Sequence, residues 1–236
     1  MQYINQSLVK EIRQKFCSVS TCPISGDRIF FENAGGALTL KSALETTTKF
    51  ASIPDNQGRD NVASQTLNDV IKNAKSDLSA LFNSRSGEFF MGESGTELLF
   101  RLIRNAVVAS PSGGSIVGTS LEHPASRSAA KKWSNEMKYT YLSVPHCVQT
   151  GTVDPNNYAD KISDTTRVVT IVHASPVTGM GTKINEISKI VRQKAPLAFI
   201  IVDGIQHAAH GGIDIESYDI DGYVISPYKM FSRHGY

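Results

Sequence analysis

The sequence predicts an α/β fold built on a mostly parallel sheet. Two observations carry this expectation. Amphipathic helical stretches alternate with short β-branched runs along most of the 236 residues, which is the pattern of strand–helix–strand units. Most strand-like runs are followed by loops rich in Gly, Ser, Thr or His. In a parallel sheet such loops gather at the carboxyl ends of the strands, where open α/β folds bind their ligands. No internal repeat or low-complexity segment interrupts the alternation.

The elements follow in order. Leu8, Ile12 and Phe16 fall at i, i+4 and i+8, so residues 5–16 read as a short amphipathic helix. Arg28–Phe31 reads as a short strand, broken at once by Asn33-Ala34-Gly35-Gly36. Residues 41–52 and 61–82 read as helices, the second with Val70, Ala74, Leu78 and Leu81 on one face. Glu88–Gly92 reads as a strand, Glu93–Thr96 as the loop after it, and Glu97–Val108 as a helix. Ser115–Thr119 is a short apolar strand, followed by Leu121-Glu122-His123-Pro124 and a helix through Trp133. Lys138–Val144 reads as an alternating strand and Arg167–His173 as a buried, β-branched one. Ile184, Ile187, Ile190 and Val191 form one stripe on a helix over 184–194. Leu197–Asp203 is the clearest buried strand, bounded by Pro196 and Gly204, and Gly222–Ser226 is a short strand leading into Pro227-Tyr228-Lys229.

Composition narrows the function classes. Hydrophobic residues make up 40% and charged residues 19%, a balance that excludes wholesale disorder. The formal net charge of +2 lacks the basic footprint of a nucleic-acid-binding protein. The N-terminus has no unbroken apolar stretch of the roughly 7–15 residues that a signal peptide needs. The longest apolar run, Leu197–Val202, is far short of the ~18 residues of a membrane helix. Cys17, Cys22 and Cys147 are odd in number and lack metal-type spacing, so the expectation is reduced thiols in a cytoplasmic protein, with no metal site.

Four constellations carry possible chemistry. Glu93-Ser94-Gly95-Thr96-Glu97 lies between a strand and a helix, where backbone N–H groups and the two hydroxyls suit a phosphate. Taken alone, an ordinary helix cap at Ser94 or Thr96 explains it as well. A hydrolase elbow needs Gly where Thr96 stands, and a Walker loop needs G-K-[ST], so neither fits. Asp203 ends a run of six apolar residues, where a carboxylate needs a partner: a helix N-terminus, a protonated ring nitrogen or a metal. His207 and His210 stand nearby, but in no established zinc pattern. Lys229 at a strand end is either a solvated charge or, with its pKa lowered by burial, a Schiff-base nucleophile. His123 also follows a strand end, as a cap or as a functional imidazole.

The order of these motifs resembles the class V aminotransferase and cysteine desulfurase family of pyridoxal-phosphate enzymes, over nearly the whole chain. Phe30–Gly36 resembles the opening strand and the small-residue loop beside the substrate, which implicates Asn33, Ala34 and Gly35. Glu93–Glu97 resembles the S-G-A-T-E phosphate loop, Glu122-His123 the E-H pair, Val202–Gln206 the V-D-G-A-Q motif, and Ser226–Lys229 the S-x-H-K motif.

The resemblance implies the fold type I large domain, a three-layer α/β/α arrangement spanning 21–236 after a helical arm over 1–20, with a C-terminal small domain missing. It implies that Ser94, Gly95, Thr96 and Ser226 hold the phosphate of pyridoxal 5'-phosphate and that His123 stacks on the ring. Asp203 would pair with the pyridine nitrogen, Gln206 approach the phenolic oxygen, and Lys229 form the internal aldimine. The implied activity is on an amino acid, as a desulfurase-like lyase or an aminotransferase, in a homodimer without nucleic-acid or membrane partners. Pro176 stands where the family's H-V-S-N-V-x-G motif, here His173–Gly179, has Asn. Tyr228 stands where many members have His. Two other readings compete: an inactive fragment serving as a binding or assembly module, and a nucleotide-binding module using Glu93–Thr96. The second leaves Lys229 unexplained.

Overall fold

The computed structural model describes residues 5–54 and 57–233. The chain divides into two units: residues 1–77 with 227–236, and residues 78–226. The larger unit carries the predicted sheet. Its strands are β3 (Ser115–Thr119), β4 (Thr140–Val144), β5 (Thr166–Val172), β6 (Phe199–Asp203) and β7 (Gly222–Val224). They lie in the order β4-β3-β5-β6-β7 with every neighbouring pair parallel.

Helices cover both faces of this sheet, as parallel strands require. On one face, α4 (Gly95–Ala109) and α5 (Pro124–Met137) set Leu99, Ile103, Ala129 and Ala130 against Ile116, Val168 and Ile201. On the other, α6 (Asn156–Ala159) and α7 (Ile184–Lys194) set Tyr158, Ile187 and Val191 against Val117, Val169, Ile171 and Val202. Strands buried on both sides favour apolar or β-branched residues at consecutive positions, which is why β5 is rich in Val, Ile and Thr and β6 is apolar up to Asp203. Each fully buried Ile or Val contributes about 1.5–3 kcal/mol. The three-layer α/β/α architecture is therefore as the sequence predicts.

Register aligns the functional ends. Val172 of β5 sits opposite Asp203 of β6, and Asp203 opposite Val224 of β7, so three strands finish level. Asp203 shares its face with Ile201 and so looks toward α4 and α5, whereas His173, one residue past β5, turns to the α6–α7 face.

The other unit contains α1 (Gln6–Gln14), a short antiparallel hairpin of β1 (Thr21–Cys22) and β2 (Gly26–Asp27), α2 (Lys41–Ala51) and most of α3 (Val62–Leu81). Its C-terminal segment is tied in by Leu40 N–H donating to Phe231 O at 2.9 Å and by Phe16 meeting Phe231 edge-on at 5.4 Å.

Several boundaries differ from the expectation. Arg28–Phe31 and Glu88–Gly92 form no strand: Arg28 N–H still donates to Ser20 O at 2.9 Å beside the β1–β2 hairpin, but the pairing goes no further, and Phe31 and Phe90 are largely exposed. The hairpin at 21–27 carried no strand signal, since each arm is only two residues and Gly26 supplies the positive φ of 80°. Leu197 is 86% exposed and lies before β6. Lys138 is the left-handed cap of α5, with φ 59°, and not the start of β4.

Candidate cofactor site

The first part of the site is the N-terminus of α4. Ser94 is its cap, its Oγ accepting from Glu97 N–H at 3.1 Å, so the capping role is real. Gly95 follows, buried, with a Cβ-sized space already taken. A methyl group there would sit 2.6 Å from Ser226 Oγ and 2.3 Å from Ile205 Cδ1. Only glycine lets the opening turn of α4 come this close to the buried Ser226 hydroxyl. The pairing sets a helix start, with its positive dipole end, beside the Ser226 hydroxyl, an arrangement whose chemistry suits an anion. Thr96, the next residue, is exposed.

Asp203 ends β6 on the same face. It is buried, and its Oδ1 accepts from Ile205 N–H at 3.1 Å, fixing the turn that carries Ile205 to Gly95. Gln206 is half-buried in the following loop, 3.4 Å from His210 through their Nε2 atoms. His123 caps α5, with its Nδ1 accepting from Ala125 N–H at 3.1 Å and Pro124 in the first helical turn.

The residue before it, Glu122, had no assigned role in the sequence reading. It is 3% exposed and accepts three hydrogen bonds: from Ser126 Oγ at 2.7 Å, Val172 N–H at 3.1 Å and Thr119 Oγ1 at 3.3 Å. Burial, with the Asp203 carboxylate adding to it, pushes Glu122 up from 4.5 to about 7. The signal that finds it is an acidic residue three positions past a fully buried strand.

His173 lies on the opposite face. Its ring stacks on His207 at 3.5 Å between centroids, and its Nδ1 is 2.7 Å from Tyr223 Oη. Burial, and secondarily the His207 ring, lowers His173 from 6.5 to about 3, while burial raises the Tyr223 phenol. Around Pro176 the Ser175 hydroxyl accepts from Val177 and Thr178 N–H at 3.2 Å, so it serves a turn. Among the described residues no group of three or more His, Cys, Asp or Glu is placed to hold a metal ion.

Lys229 belongs to the other unit. It is buried, and its Nζ donates to Ala34 O at 2.7 Å. Ala34 is held in a turn over Asn33–Gly35 by Gly35 and Gly36 N–H groups donating to Glu32 O at 3.0 and 3.2 Å. The small-residue loop and the lysine named from sequence are thus brought together.

A model of the class V aminotransferase family matches residues 29–236. The chain belongs to this family. Among the class V aminotransferase relatives, a cysteine desulfurase-like protein ustD of Aspergillus flavus is 30% identical over 218 residues, covering 89% of this chain and 49% of that protein. A cysteine desulfurase of Nostoc sp. is 29% identical over 72% of this chain and 41% of its own length. The cysteine desulfurase CsdA of Escherichia coli has a similar structure, with a TM-score of 0.79 at 20% identity over 99% of this chain and 57% of that one. The cysteine desulfurase of Thermococcus onnurineus NA1 reaches a TM-score of 0.82 at 18% identity, covering 98% and 55%. The chain thus spans about half the length of the curated relatives it matches. Members of the family use pyridoxal phosphate. Within the larger unit the residues present fit that group: the Gly95–Ser226 approach suits an anion, and Asp203 is a buried carboxylate.

Proposed function

We propose that this chain provides the cofactor-binding part of a pyridoxal-phosphate enzyme acting on an amino acid, of the cysteine desulfurase-like or class V aminotransferase kind. The observation that carries the reading is the Gly95–Ser226 approach at the start of α4, with buried Asp203 on the same sheet face. Bound there, pyridoxal phosphate supplies an electron-accepting ring that stabilises a carbanion at the substrate Cα.

Every other part belongs to this chain's residues. Ser94, Gly95, Thr96 and Ser226 grip the phosphate and prevent drift. Buried Asp203 would pair with the ring nitrogen and keep it protonated, and Gln206 would approach the phenolic oxygen. His123 lies against the ring face and fixes its plane. Lys229 would be the residue that carries the group, and its amine would then serve as base or acid for the proton at Cα. Its hydrogen bond to Ala34 O orients the amine. The Asn33–Gly35 turn borders the substrate. A homodimer in the cytoplasm belongs to the same reading, and sedimentation tests the dimer.

Incubation with pyridoxal phosphate, followed by borohydride and mapping of the modified residue, is the test. A violet-absorbing band fixed on Lys229 and lost in Lys229→Ala is expected. A wild-type protein without the band, or a band surviving in Lys229→Ala, would overturn the proposal. Sulfide or keto-acid release on adding cysteine or alanine then separates the two reaction types.

A further inference from the structure

We propose that Glu122 is the positioning residue of His123: its buried carboxylate closes the Thr119–Ser126 turn and bolts it to the end of β5, so the imidazole is presented in one orientation. The inference deepens the reading above and rests on it for the cofactor measurements alone.

Glu122 binds both ends of the turn that contains His123. Thr119 Oγ1 donates to its Oε1, and Ser126 Oγ donates to its Oε2. Thr119 Oγ1 also accepts from Leu121 N–H at 3.2 Å, and Glu122 N–H donates to Thr119 O at 3.3 Å. The Glu122–Ser126 bond spans the segment His123–Ala125, in which His123 Nδ1 accepts from Ala125 N–H. The third bond runs across the sheet, from Val172 N–H at the end of β5 to Oε1. Gly118 makes the room: a Cβ there would lie 2.6 Å from Thr170 Oγ1 and 3.5 Å from Glu122 Cγ. Titratable groups facing Glu122 are Asp203 of β6, Tyr141 of β4 and Tyr158 of α6. None of these is cationic and no ion pair to Glu122 occurs among the described residues, so the carboxyl is held there by hydrogen bonds.

The hydrogen-bond inventory separates Gln from Ala at this position. In Glu122→Gln the amide oxygen still accepts from Val172 N–H and Thr119 Oγ1, while the NH2 donates to Ser126 Oγ after that hydroxyl turns. In Glu122→Ala the Val172 N–H loses its acceptor and the turn loses both ties. A residue that merely filled space would show the opposite indifference to hydrogen-bonding capacity.

Long-range 1H–15N spectra of the protein without cofactor read the His123 tautomer directly. Wild type and Glu122→Gln are expected to show a single Nε2–H form, because Nδ1 accepts from Ala125 N–H, and Glu122→Ala a mixture. With pyridoxal phosphate, Glu122→Ala is expected to weaken binding about tenfold, as loss of a supporting partner does, with Glu122→Gln near wild type. The double variant Glu122→Ala/His123→Ala is expected to bind no more weakly than His123→Ala, since the effect passes through the ring. Should Glu122→Ala fail to fold, Ser126→Ala replaces it, with a smaller tautomer shift expected. An unchanged tautomer in the Ala variant, additive losses in the double variant, or a Gln variant as poor as the Ala variant would overturn the role. If the spectra behave as expected but wild type binds no pyridoxal phosphate, the proposed function falls and the positioning role stands.

Discussion

The two faces of the sheet end in opposite chemistries within a few residues of each other. On the α4–α5 face the strand ends carry carboxylates, Glu122 and Asp203, beside a helix start; on the α6–α7 face they carry rings, His173, His207 and Tyr223. Burial disfavours charge on both faces, with shifts of opposite sign: it raises the Glu122 carboxyl and lowers the His173 imidazole. The glycines differ likewise. Gly95 is crowded by the tips of side chains, Ile205 and Ser226, while Gly204 is crowded by the rigid ring of Tyr223, at 2.1 Å from a Cβ built there. The second face is filled by its own side chains, and the first is where the cofactor is proposed to bind.

The contrast can be broken most strongly at Gly204. Gly204→Ala is expected to lower stability by about 3 kcal/mol, because an aromatic ring packed against the backbone cannot give way by bond rotation. Gly95→Ala is expected to cost about 1 kcal/mol, the neighbouring tips yielding more easily, yet to weaken pyridoxal phosphate binding more than Gly204→Ala does. Thermal unfolding and a binding titration of both variants check this, and equal binding losses would dissolve the distinction.

The pH dependence sharpens it. Unfolded Glu122 ionises above 4.5, whereas the folded group holds its proton to about 7. Its contribution is therefore fully present below pH 4.5 and lost as pH rises through 7, a change on the order of 3 kcal/mol that Glu122→Gln removes. His173 runs the other way: folded, it refuses the proton until about 3 against 6.5 unfolded, so its contribution is present above pH 6.5 and lost as pH falls. Denaturant melts of wild type and Glu122→Gln from pH 4 to 8 isolate the first effect, and a difference flat with pH would refute it. His207→Ala is expected to cost about 1 kcal/mol of ring stacking and to raise the His173 pKa, seen by NMR titration. The smallest effect is expected at Arg101→Ala, where loss of the exposed pair with Glu97 at 2.9 Å is worth about 0.5 kcal/mol.

Legibility followed burial. β5 was evident from its β-branched run and β6 from its apolar one, because parallel strands covered on both faces admit little else. Arg28–Phe31 and Glu88–Gly92 looked equally strand-like over four or five residues, yet a strand exists only with a neighbour, and nothing local reveals one. The site residues were named by the order of their motifs. The caps at Ser94 and His123 were legible from residue type, while the three bonds of Glu122 join residues up to fifty apart and were not.

The sequence by itself determined the fold class, the family resemblance and the residues around which a cofactor site is proposed, because strand periodicity and motif order are written along the chain. Only the tertiary structure decided that Gly95 lies against Ser226, that Glu122 is locked to β5, and that His173 faces away from Asp203 to stack on His207. The reason is that these facts depend on register and on which side of a strand a residue falls, and one residue of slip reverses the face.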